Sequence, residues 1–366
     1  MVEYIFILLF VIFCSKYNYR MAANTRVFFV CTICLLIIFV LGLRFKVGID
    51  TLNYMESFKS IPTFEDLSYS NWTRSRLEPG YFILASICKS ICPDFTFLQF
   101  SMAGITNICI FIFIYRNTKN PFCGLFFYLL LACLYFTTEI MRESVAVGIF
   151  LLNYRNIRQK KWGWYILGCI LSMSFHYSAI ITLFIPCTNF IKLNIWYILC
   201  IVALIMVAPF LETLNQLLNI VAIQDKLTSY SKIADNVNLN FRLAFFMRLG
   251  IPALIALWAT RRYKKITQNN NMILLHIMLC AGIFAIPIIF ARLANYSLPF
   301  VIVALSNIIS SSKPSKLIKA IIIFIVIISQ SHYYYTMRHA WIPYVSILNK
   351  QVISARERLW WQNFGN

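Results

Sequence analysis

Apolar runs separated by short polar gaps follow one another along nearly the whole chain, and a soluble fold could not bury so many of them. Of the 366 residues, 60% are apolar and 13% are charged, whereas about a quarter of the residues in a soluble domain are charged. A transmembrane helix takes about 20 residues, so the chain has room for roughly ten to thirteen. The sequence predicts an all-α, polytopic integral membrane protein that forms a single transmembrane domain over residues 1–366.

The polar gaps indicate a path through the membrane, because short loops rich in lysine and arginine stay on the cytoplasmic side. The most basic gaps lie near residues 16–26, 116–119, 155–161, 261–265 and 313–319. With these gaps inside and the N-terminus outside, about twelve transmembrane helices are predicted. Their ranges are 2–14, 27–43, 97–115, 121–138, 140–154, 163–175, 177–191, 195–211, 243–260, 272–290, 293–310 and 317–333. Residues 80–92 are apolar but too short to cross, which predicts a re-entrant or interfacial helix.

Two longer polar stretches carry a nearly balanced set of charges, which favours the external side. Residues 44–79 hold five bases and five acids, and residues 212–241 hold two bases and three acids. We expect these two external loops to help form a cavity.

Ionisable side chains interrupt several of the apolar runs. In hydrocarbon each costs about 3 kcal/mol or more, so it usually meets a partner, a polar cavity or a substrate. Glu139, Arg142 and Glu143 break one run, Arg292 breaks another, and His176 lies in a third. The predicted path brings seven ionisable residues to the external side: Arg44, Asp50, Glu78, Glu139, Arg142, His176 and Arg292. Their convergence from separate spans predicts one site for an anionic lipid-linked substrate.

Little in the sequence points to a cofactor or a metal. All 12 cysteines lie in or beside apolar segments, where free cysteine packs as a small apolar side chain. Cys31 and Cys34 form a CxxC motif without a second ligand pair, and no P-loop or HExxH motif occurs. The net charge of +20 is concentrated in the gaps between apolar runs, so it indicates topology. We therefore expect no cofactor, no metal and no nucleic-acid partner.

Two motifs after the second predicted span contain residue types suited to phosphates and sugars. The first is G-L-R-F-K-V-G-I-D-T-L-N-Y at 42–54, and the second is E-P-G-Y at 78–81. Arg44 offers a rigid fork of donors for phosphate, and Gly48 permits close backbone approach. Asp50 can accept a proton or orient a hydroxyl group, and the Pro-Gly turn fixes the glutamate before it at the head of the next helix. The alternative is that Arg44 and Lys46 only snorkel at the end of a span and that Asp50 is a loop residue.

The same motifs, taken in order with four later ones, resemble a known family. The later motifs are M-R-E-S-V-A at 141–146, S-F-H-Y-S-A at 174–179, A-R-L-A-N-Y at 291–296 and I-P-Y at 342–344. The set is similar to the EpsG family of bacterial exopolysaccharide synthesis, which is grouped with the Wzy-type O-antigen and capsule repeat-unit polymerases. Family members often show I-R-Q around the intramembrane arginine. Here M-R-E keeps the arginine and leaves the role of Glu143 open.

The resemblance implies a GT-C-like architecture and a location in the bacterial cytoplasmic (inner) membrane, with the active site on the external, periplasmic side. Such a glycosyltransferase moves a growing glycan from undecaprenyl pyrophosphate to the non-reducing end of the next lipid-linked repeat unit. It uses no nucleotide sugar and no metal. Its partners would be undecaprenyl-pyrophosphate-linked oligosaccharides, membrane lipids and a separate chain-length regulator protein.

The implied chemistry gives the candidate residues their roles. The departing pyrophosphate needs guanidinium groups, for which Arg142 and Arg292 come first and Arg44 third. The acceptor hydroxyl group needs a base or an orienting group. Four residues could serve: Asp50, Glu78, Glu139 and His176. We favour His176 or Asp50, although His176 could instead be a histidine bonded inside a helix bundle. Four tyrosines could stack on sugar rings: Tyr54, Tyr81, Tyr296 and Tyr344.

Other membrane functions share part of this pattern. An O-antigen ligase would use the same leaving group, but we expect it to have a longer external loop than 212–241. A flippase for lipid-linked oligosaccharides would line its cavity with arginines but needs no base. A membrane acyltransferase would depend on a histidine, of which the chain has four. An Arg142→Lys exchange separates the flippase from the polymerase, because lysine cannot make a bidentate contact with pyrophosphate.

Overall fold

The computed structural model describes residues 2–69, 72–73, 77–189, 239–263, 270–284 and 286–350. These residues form helices joined by turns, and no strand occurs among them. The described residues within Met1–Leu183 and Met337–Asn366 form one compact unit, and those within Phe184–Thr336 form another. The predicted all-helical fold is confirmed, whereas a single domain over the whole chain stays a prediction.

Local sequence explains several helix ends in the first unit. Its main described helices are α1 (Val2–Tyr17), α2 (Ala23–Gly42), α3 (Ile49–Ser60), α4 (Pro79–Ile91), α5 (Phe95–Asn117), α6 (Pro121–Thr138), α7 (Met141–Arg158) and α8 (Trp162–Phe175). Pro79 and Pro121 begin their helices, because the fixed backbone angle of proline suits the first turn. The side chain of Asp94 accepts the N–H of Thr96 at 2.7 Å and so caps α5.

Buried polar contacts supplement apolar packing between these helices. Helix α7 packs against α5 and α8, α2 packs against α5, and α1 packs against α6. The Tyr4 hydroxyl donates to the carbonyl oxygen of Leu129, where α6 contains a π-helical turn. The Tyr128 hydroxyl donates to Asn107 Oδ1 at 2.9 Å and links α6 to α5. Such bonds hold helices together where apolar side chains gain little by leaving lipid.

The second unit is built around one long helix. Its main described helices are α9 (Leu239–Arg262), α10 (Asn270–Gly282), α11 (Pro287–Asn295), α12 (Leu298–Ile309) and α13 (Lys316–Thr336). Helix α9 packs against α10, α12 and α13, and α11 meets α12 at a bend of 54°. The imidazole of His276 on α10 lies 3.2 Å from the Leu249 carbonyl oxygen and 2.9 Å from Ser297 Oγ. It therefore ties α10 to α9 and to the bend.

Six helices in the described ranges are long and apolar enough to cross a membrane, or seven if the bent pair counts as one crossing. They are α1 with the short helical turn after it (Val2–Arg20), α2, α5, α6, α9 and α13. Each matches a predicted span closely. The predicted span 195–211 and most of the predicted loop 212–241 lie outside the described residues. The total of about twelve spans and the GT-C-like architecture therefore stay predictions.

One predicted boundary is wrong. Arg292 is predicted in a gap between spans 272–290 and 293–310, but it lies inside α11. The helices instead break after Gly282 and after Asn295, because Pro287 starts a new helix and α11 is only nine residues long. The predicted external loop 44–79 contains the helix α3, whose sequence has no glycine or proline to interrupt it, and its place outside the membrane stays a prediction. The short helix expected at 80–92 is present as α4, and its relation to a bilayer stays a prediction.

Candidate active site

A tight turn after α2 is organised around the side chain of Arg44, which is 1% exposed. Its guanidinium group donates to the carbonyl oxygens of Leu41 and Val47. It also donates to Thr51 Oγ1 at 3.4 Å, and Nη2 lies 3.2 Å from Met141 Sδ. All three guanidinium nitrogens thus have partners within the protein. These contacts make Arg44 a positioning residue, and its direct contact with pyrophosphate stays a prediction.

The close backbone approach predicted for Gly48 is confirmed, and the neighbour is the end of α6. Gly48 has a φ of 99°, in the region that favours glycine. A Cβ atom on Gly48 would lie 2.8 Å from the Thr138 carbonyl oxygen and 2.9 Å from Thr51 Oγ1. The Thr51 hydroxyl donates to that same Thr138 oxygen at 3.2 Å. Gly48 therefore allows the turn to contact the residue that precedes Glu139.

Residues near the other end of the chain fasten the same turn. The Phe45 N–H donates to the Val345 carbonyl oxygen at 2.8 Å, and the Gly48 N–H donates to the Ala340 carbonyl oxygen at 2.9 Å. The predicted sugar-stacking residue Tyr344 donates its hydroxyl to the carbonyl oxygen of Val40. These bonds place the I-P-Y motif beside the G-L-R motif, although some 300 residues separate the two in sequence.

A second long-range bond reaches the end of α6. The indole Nε1 of Trp341 donates to Thr138 Oγ1 at 2.9 Å, and both side chains are buried. Trp341 is not among the predicted site residues, although it directly precedes I-P-Y. A buried indole N–H normally has a hydrogen-bond partner. A tryptophan beside such a motif therefore indicates a hydrogen bond to another part of the chain.

Two candidate acidic residues contact each other at the start of α3. The Asp50 N–H donates to Glu139 Oε2 at 3.3 Å, and Thr138 Oγ1 lies 3.3 Å from Glu139 Oε1. Glu139 follows the last residue of α6 and is 5% exposed. Burial raises the pKa of the Glu139 carboxyl to about 7, and the negative charge of Asp50 adds to this. The Glu139 carboxyl group therefore holds a proton more readily than an exposed glutamate does.

Arg142, in the first turn of α7, is enclosed by three other predicted site residues. Its Nη1 forms an ion pair with Glu78 Oε2. Its guanidinium carbon lies 5.5 Å from the ring centroids of both Tyr54 and Tyr81, within the range of cation–π attraction. The Arg142 side chain is 26% exposed, unlike that of Arg44. The structure thus brings four predicted residues from three separate helices or their ends into one cluster.

This cluster contains unsatisfied donors. Within the described part of the chain, neither the buried Arg142 Nε nor the buried Tyr81 hydroxyl has a hydrogen-bond partner. A buried polar group without a partner costs about 1–3 kcal/mol, and bound substrate or water could supply the missing acceptors. The cluster is therefore suited to hold an oxygen-rich anion.

His176 directly follows α8 and caps the short helical turn after it. Its Nδ1 accepts the Ser178 N–H at 3.2 Å and lies 2.6 Å from Ser178 Oγ. Nδ1 therefore acts as the acceptor, and a neutral ring carries its proton on Nε2. As a base, His176 would have to give up this cap. The segment before His176 nonetheless packs against the start of α4, where Gly80 lies against the Ser174 side chain.

The geometry can be compared with known families at this point. The family model described as the EpsG family matches residues 27–346. The chain belongs to the EpsG family. Membership in the EpsG family indicates a membrane polysaccharide polymerase in general, with glycosyltransferase-like activity. No curated protein and no solved structure matches the chain.

Two predicted site residues of this EpsG-family chain lie in the second unit. Arg292 is half-buried on α11, and Tyr296 is 1% exposed at the bend that follows. The cluster around Arg142 belongs to the first unit. The roles of Arg292 and Tyr296 in the site therefore stay predictions. In the described ranges, no three His, Cys, Asp or Glu side chains are grouped as metal ligands.

Two other buried polar residues of this EpsG-family chain are absent from the predicted site. Gln99 Nε2 donates to the carbonyl oxygens of Gly42 and Arg44 at 2.6 and 2.8 Å, so it supports the turn after α2. Arg248 is 1% exposed on α9, with its guanidinium carbon 4.7 Å from the Tyr333 ring centroid. Both lie inside predicted spans, where a polar residue is itself the signal.

Proposed function

We propose that this protein is a polysaccharide polymerase of the bacterial inner membrane, with its active site on the external side. It transfers a growing glycan from undecaprenyl pyrophosphate to the non-reducing end of an incoming lipid-linked repeat unit. The acceptor hydroxyl oxygen bonds to the anomeric carbon as the bond from that carbon to the pyrophosphate oxygen breaks. The electron pair of the broken bond leaves with the pyrophosphate, and the hydroxyl proton passes to a carboxylate.

One observation carries this proposal: on α3, Asp50 lies one helical turn from Tyr54, whose ring faces the guanidinium group of Arg142. Asp50 and Tyr54 are four residues apart on α3, so they share a face, with Cβ atoms about 6 Å apart. The guanidinium group of Arg142 lies over the Tyr54 ring. A cation for the leaving group and a base for the acceptor are thus close enough to act on one sugar.

The two carboxyl groups take different parts in this scheme. Because burial raises the pKa of Glu139, this residue holds a proton more readily, while Asp50 is half-buried in the positive first turn of α3. We therefore assign the base to Asp50 and the neutral, orienting partner to Glu139. Glu78 holds Arg142 in place until pyrophosphate arrives. Arg292 is the proposed second cation.

The experiment uses a strain deleted for this gene and complemented with wild-type or variant protein. Electrophoresis of the lipid-linked and surface polysaccharide is the readout, with protein level measured in parallel. Arg142→Ala and Arg142→Lys should each reduce polymer about 100-fold or more, because loss of a preorganised charge contact costs that much in rate. Arg262→Ala, at the exposed end of α9, is the matched control and should give the wild-type ladder.

The products distinguish the competing functions. Single repeat units on their carrier at the external face support a polymerase, and Asp50→Asn should give the same product while Asp66→Asn should not. Finished polymer held on its carrier lipid would indicate a ligase. Single units confined to the cytoplasmic leaflet would indicate a flippase. An unchanged ladder in a correctly inserted Arg142→Ala protein would refute the assigned site.

A further inference from the structure

A basic cavity lies at the C-terminal ends of α5 and α7, far from the cluster around Arg142. The cavity has a volume of about 280 Å³. Three arginines line it: Arg116 from the last turn of α5, and Arg155 and Arg158 from the last turns of α7. All three side chains are exposed, and Tyr154 lines the same cavity. Arginines are frequent at such helix ends, but here three of them from two helices line one cavity.

The charged residues among the described lining of this cavity are all basic. None of the described residues that line the cavity is acidic. The acidic residues nearest in sequence to Arg155 are Glu143, in the first turn of α7, and Glu139, just before that helix. Both therefore lie at the opposite end of α7 from the cavity. At 1.5 Å per residue, Glu143 is about 18 Å along the axis from Arg155, beyond the Debye length of about 8 Å at physiological ionic strength. The cavity therefore attracts an anion.

An apolar groove continues from the same arginine. Arg116 also lines a cavity of about 590 Å³ between α2 and α5, whose other lining residues are apolar apart from Tyr115 and two cysteines. On α2 the lining runs from Val27 to Ile38, which is about 17 Å at 1.5 Å per residue. The hydrocarbon of one leaflet is about 15 Å thick. The groove thus matches the length of an acyl chain in one leaflet.

We propose that this pair of cavities is a binding site for an anionic glycerophospholipid. Its phosphate lies among Arg116, Arg155 and Arg158, and an acyl chain follows the groove between α2 and α5. The absence of an acidic lining residue in the described cavity favours an anionic headgroup, because a zwitterionic one would bring an ammonium group without a partner. Basic pockets between transmembrane helices bind such lipids in other proteins.

This site is separate from the candidate active site. Arg142 and Arg158 lie sixteen residues apart on α7, which corresponds to about 24 Å along the helix axis. A bound lipid would therefore hold the end of α7 that is remote from the reacting sugar. Its occupancy should affect the stability of the first unit whatever the substrate of the enzyme is.

The test measures lipid binding to the purified full-length protein by native mass spectrometry after delipidation. Vesicles of phosphatidylglycerol or cardiolipin are compared with vesicles of phosphatidylcholine, and inorganic phosphate serves as the free anion. The wild type should retain anionic lipid at least tenfold more strongly than phosphatidylcholine, whereas inorganic phosphate should bind weakly. The combined variant Arg116→Gln, Arg155→Gln, Arg158→Gln should lose about tenfold or more in affinity for anionic lipid.

A matched variant controls for the change in net charge. Lys119→Gln, Lys160→Gln, Lys161→Gln removes three nearby positive charges that do not line the cavity, and it should change affinity less than about twofold. Ile112→Trp, which fills the groove without altering charge, should also weaken lipid binding. Equal loss in the two triple variants, equal retention of phosphatidylcholine, or unchanged binding by the arginine variant would overturn the proposal. Inorganic phosphate binding as tightly as the lipid would overturn the role of the groove.

Discussion

Replacing Gly48 by alanine should destabilise the first unit and abolish the polymerase, because this glycine sets the distance between two motifs. Its φ of 99° lies in a region that other residues rarely adopt. The new Cβ would lie 2.8 Å from the Thr138 carbonyl oxygen and 2.9 Å from Thr51 Oγ1. Backbone oxygen cannot rotate away as a flexible side chain can. The turn must therefore move away from the end of α6, and the contact between Asp50 and Glu139 moves with it.

The magnitude follows from two terms. A residue held in a sparsely populated backbone region costs about 1–3 kcal/mol. Overpacking at a well-filled position costs about 1–3 kcal/mol more. The sum is about 2–6 kcal/mol, which corresponds to a fall in Tm of about 3–8 °C for a protein of this size, at an unfolding entropy of about 2.1 cal/mol/K per residue.

The assay compares thermal unfolding and polymer synthesis of Gly48→Ala with those of Gly104→Ala. Gly104 lies within α5, where a Cβ would meet no atom within 4 Å. Alanine in a helix interior is favoured over glycine by about 0.5–1 kcal/mol, so the control should be as stable as the wild type or slightly more so. A Gly48→Ala protein that unfolds within about 1 °C of the wild type and makes normal polymer would refute the reasoning.

Three further predictions concern the same site. Trp341→Phe removes the indole donor to Thr138 and should lower the free energy of unfolding by about 1 kcal/mol. In the same thermal unfolding experiment the control Trp164→Phe, at an exposed position, should leave the stability unchanged. The lysine of Arg44→Lys cannot reproduce the hydrogen bonds of the guanidinium group, so this variant should lower the free energy of unfolding by about 2–4 kcal/mol. Loss of polymer at an unchanged Tm would contradict this positioning role and support direct binding of pyrophosphate by Arg44. Glu139→Gln should gain stability relative to the wild type as pH rises from about 4.5 to 7. In that pH range Glu139 of the folded wild type retains a proton that the unfolded chain loses, so the stability of the wild type falls as pH rises. A difference in Tm between the two proteins that does not change with pH would contradict the raised pKa of Glu139.

Several features of the site could be predicted from sequence because a single short segment carries the signal. Arg142 and Glu139 are visible as charges inside an apolar run, and the cost of placing them in lipid points to function. Gly48 was correctly predicted to permit a close backbone approach, but the approaching group could not be identified. The reason is that φ depends on the local chain, whereas Thr138 comes from a different helix.

Roles that depend on hydrogen-bond partners could not be predicted in the same way. Arg44 and Arg142 look alike in sequence, yet the first is 1% exposed and engaged with backbone carbonyl groups. The second is partly exposed, and its Nε has no hydrogen-bond partner within the described ranges. His176 likewise looked like a base until its Nδ1 was found to cap a turn.

The sequence by itself determined that the chain is helical, that it lies in a membrane, and closely where six of its spans begin and end. These properties follow from the free energy of transferring each segment into lipid, which depends on local composition. Only the tertiary structure decided which charged groups meet and which are taken up in holding the fold. Those choices depend on contacts such as Trp341 with Thr138, whose partners are 203 residues apart, because a hydrogen bond is fixed by the position of two atoms in space and not by the character of either segment.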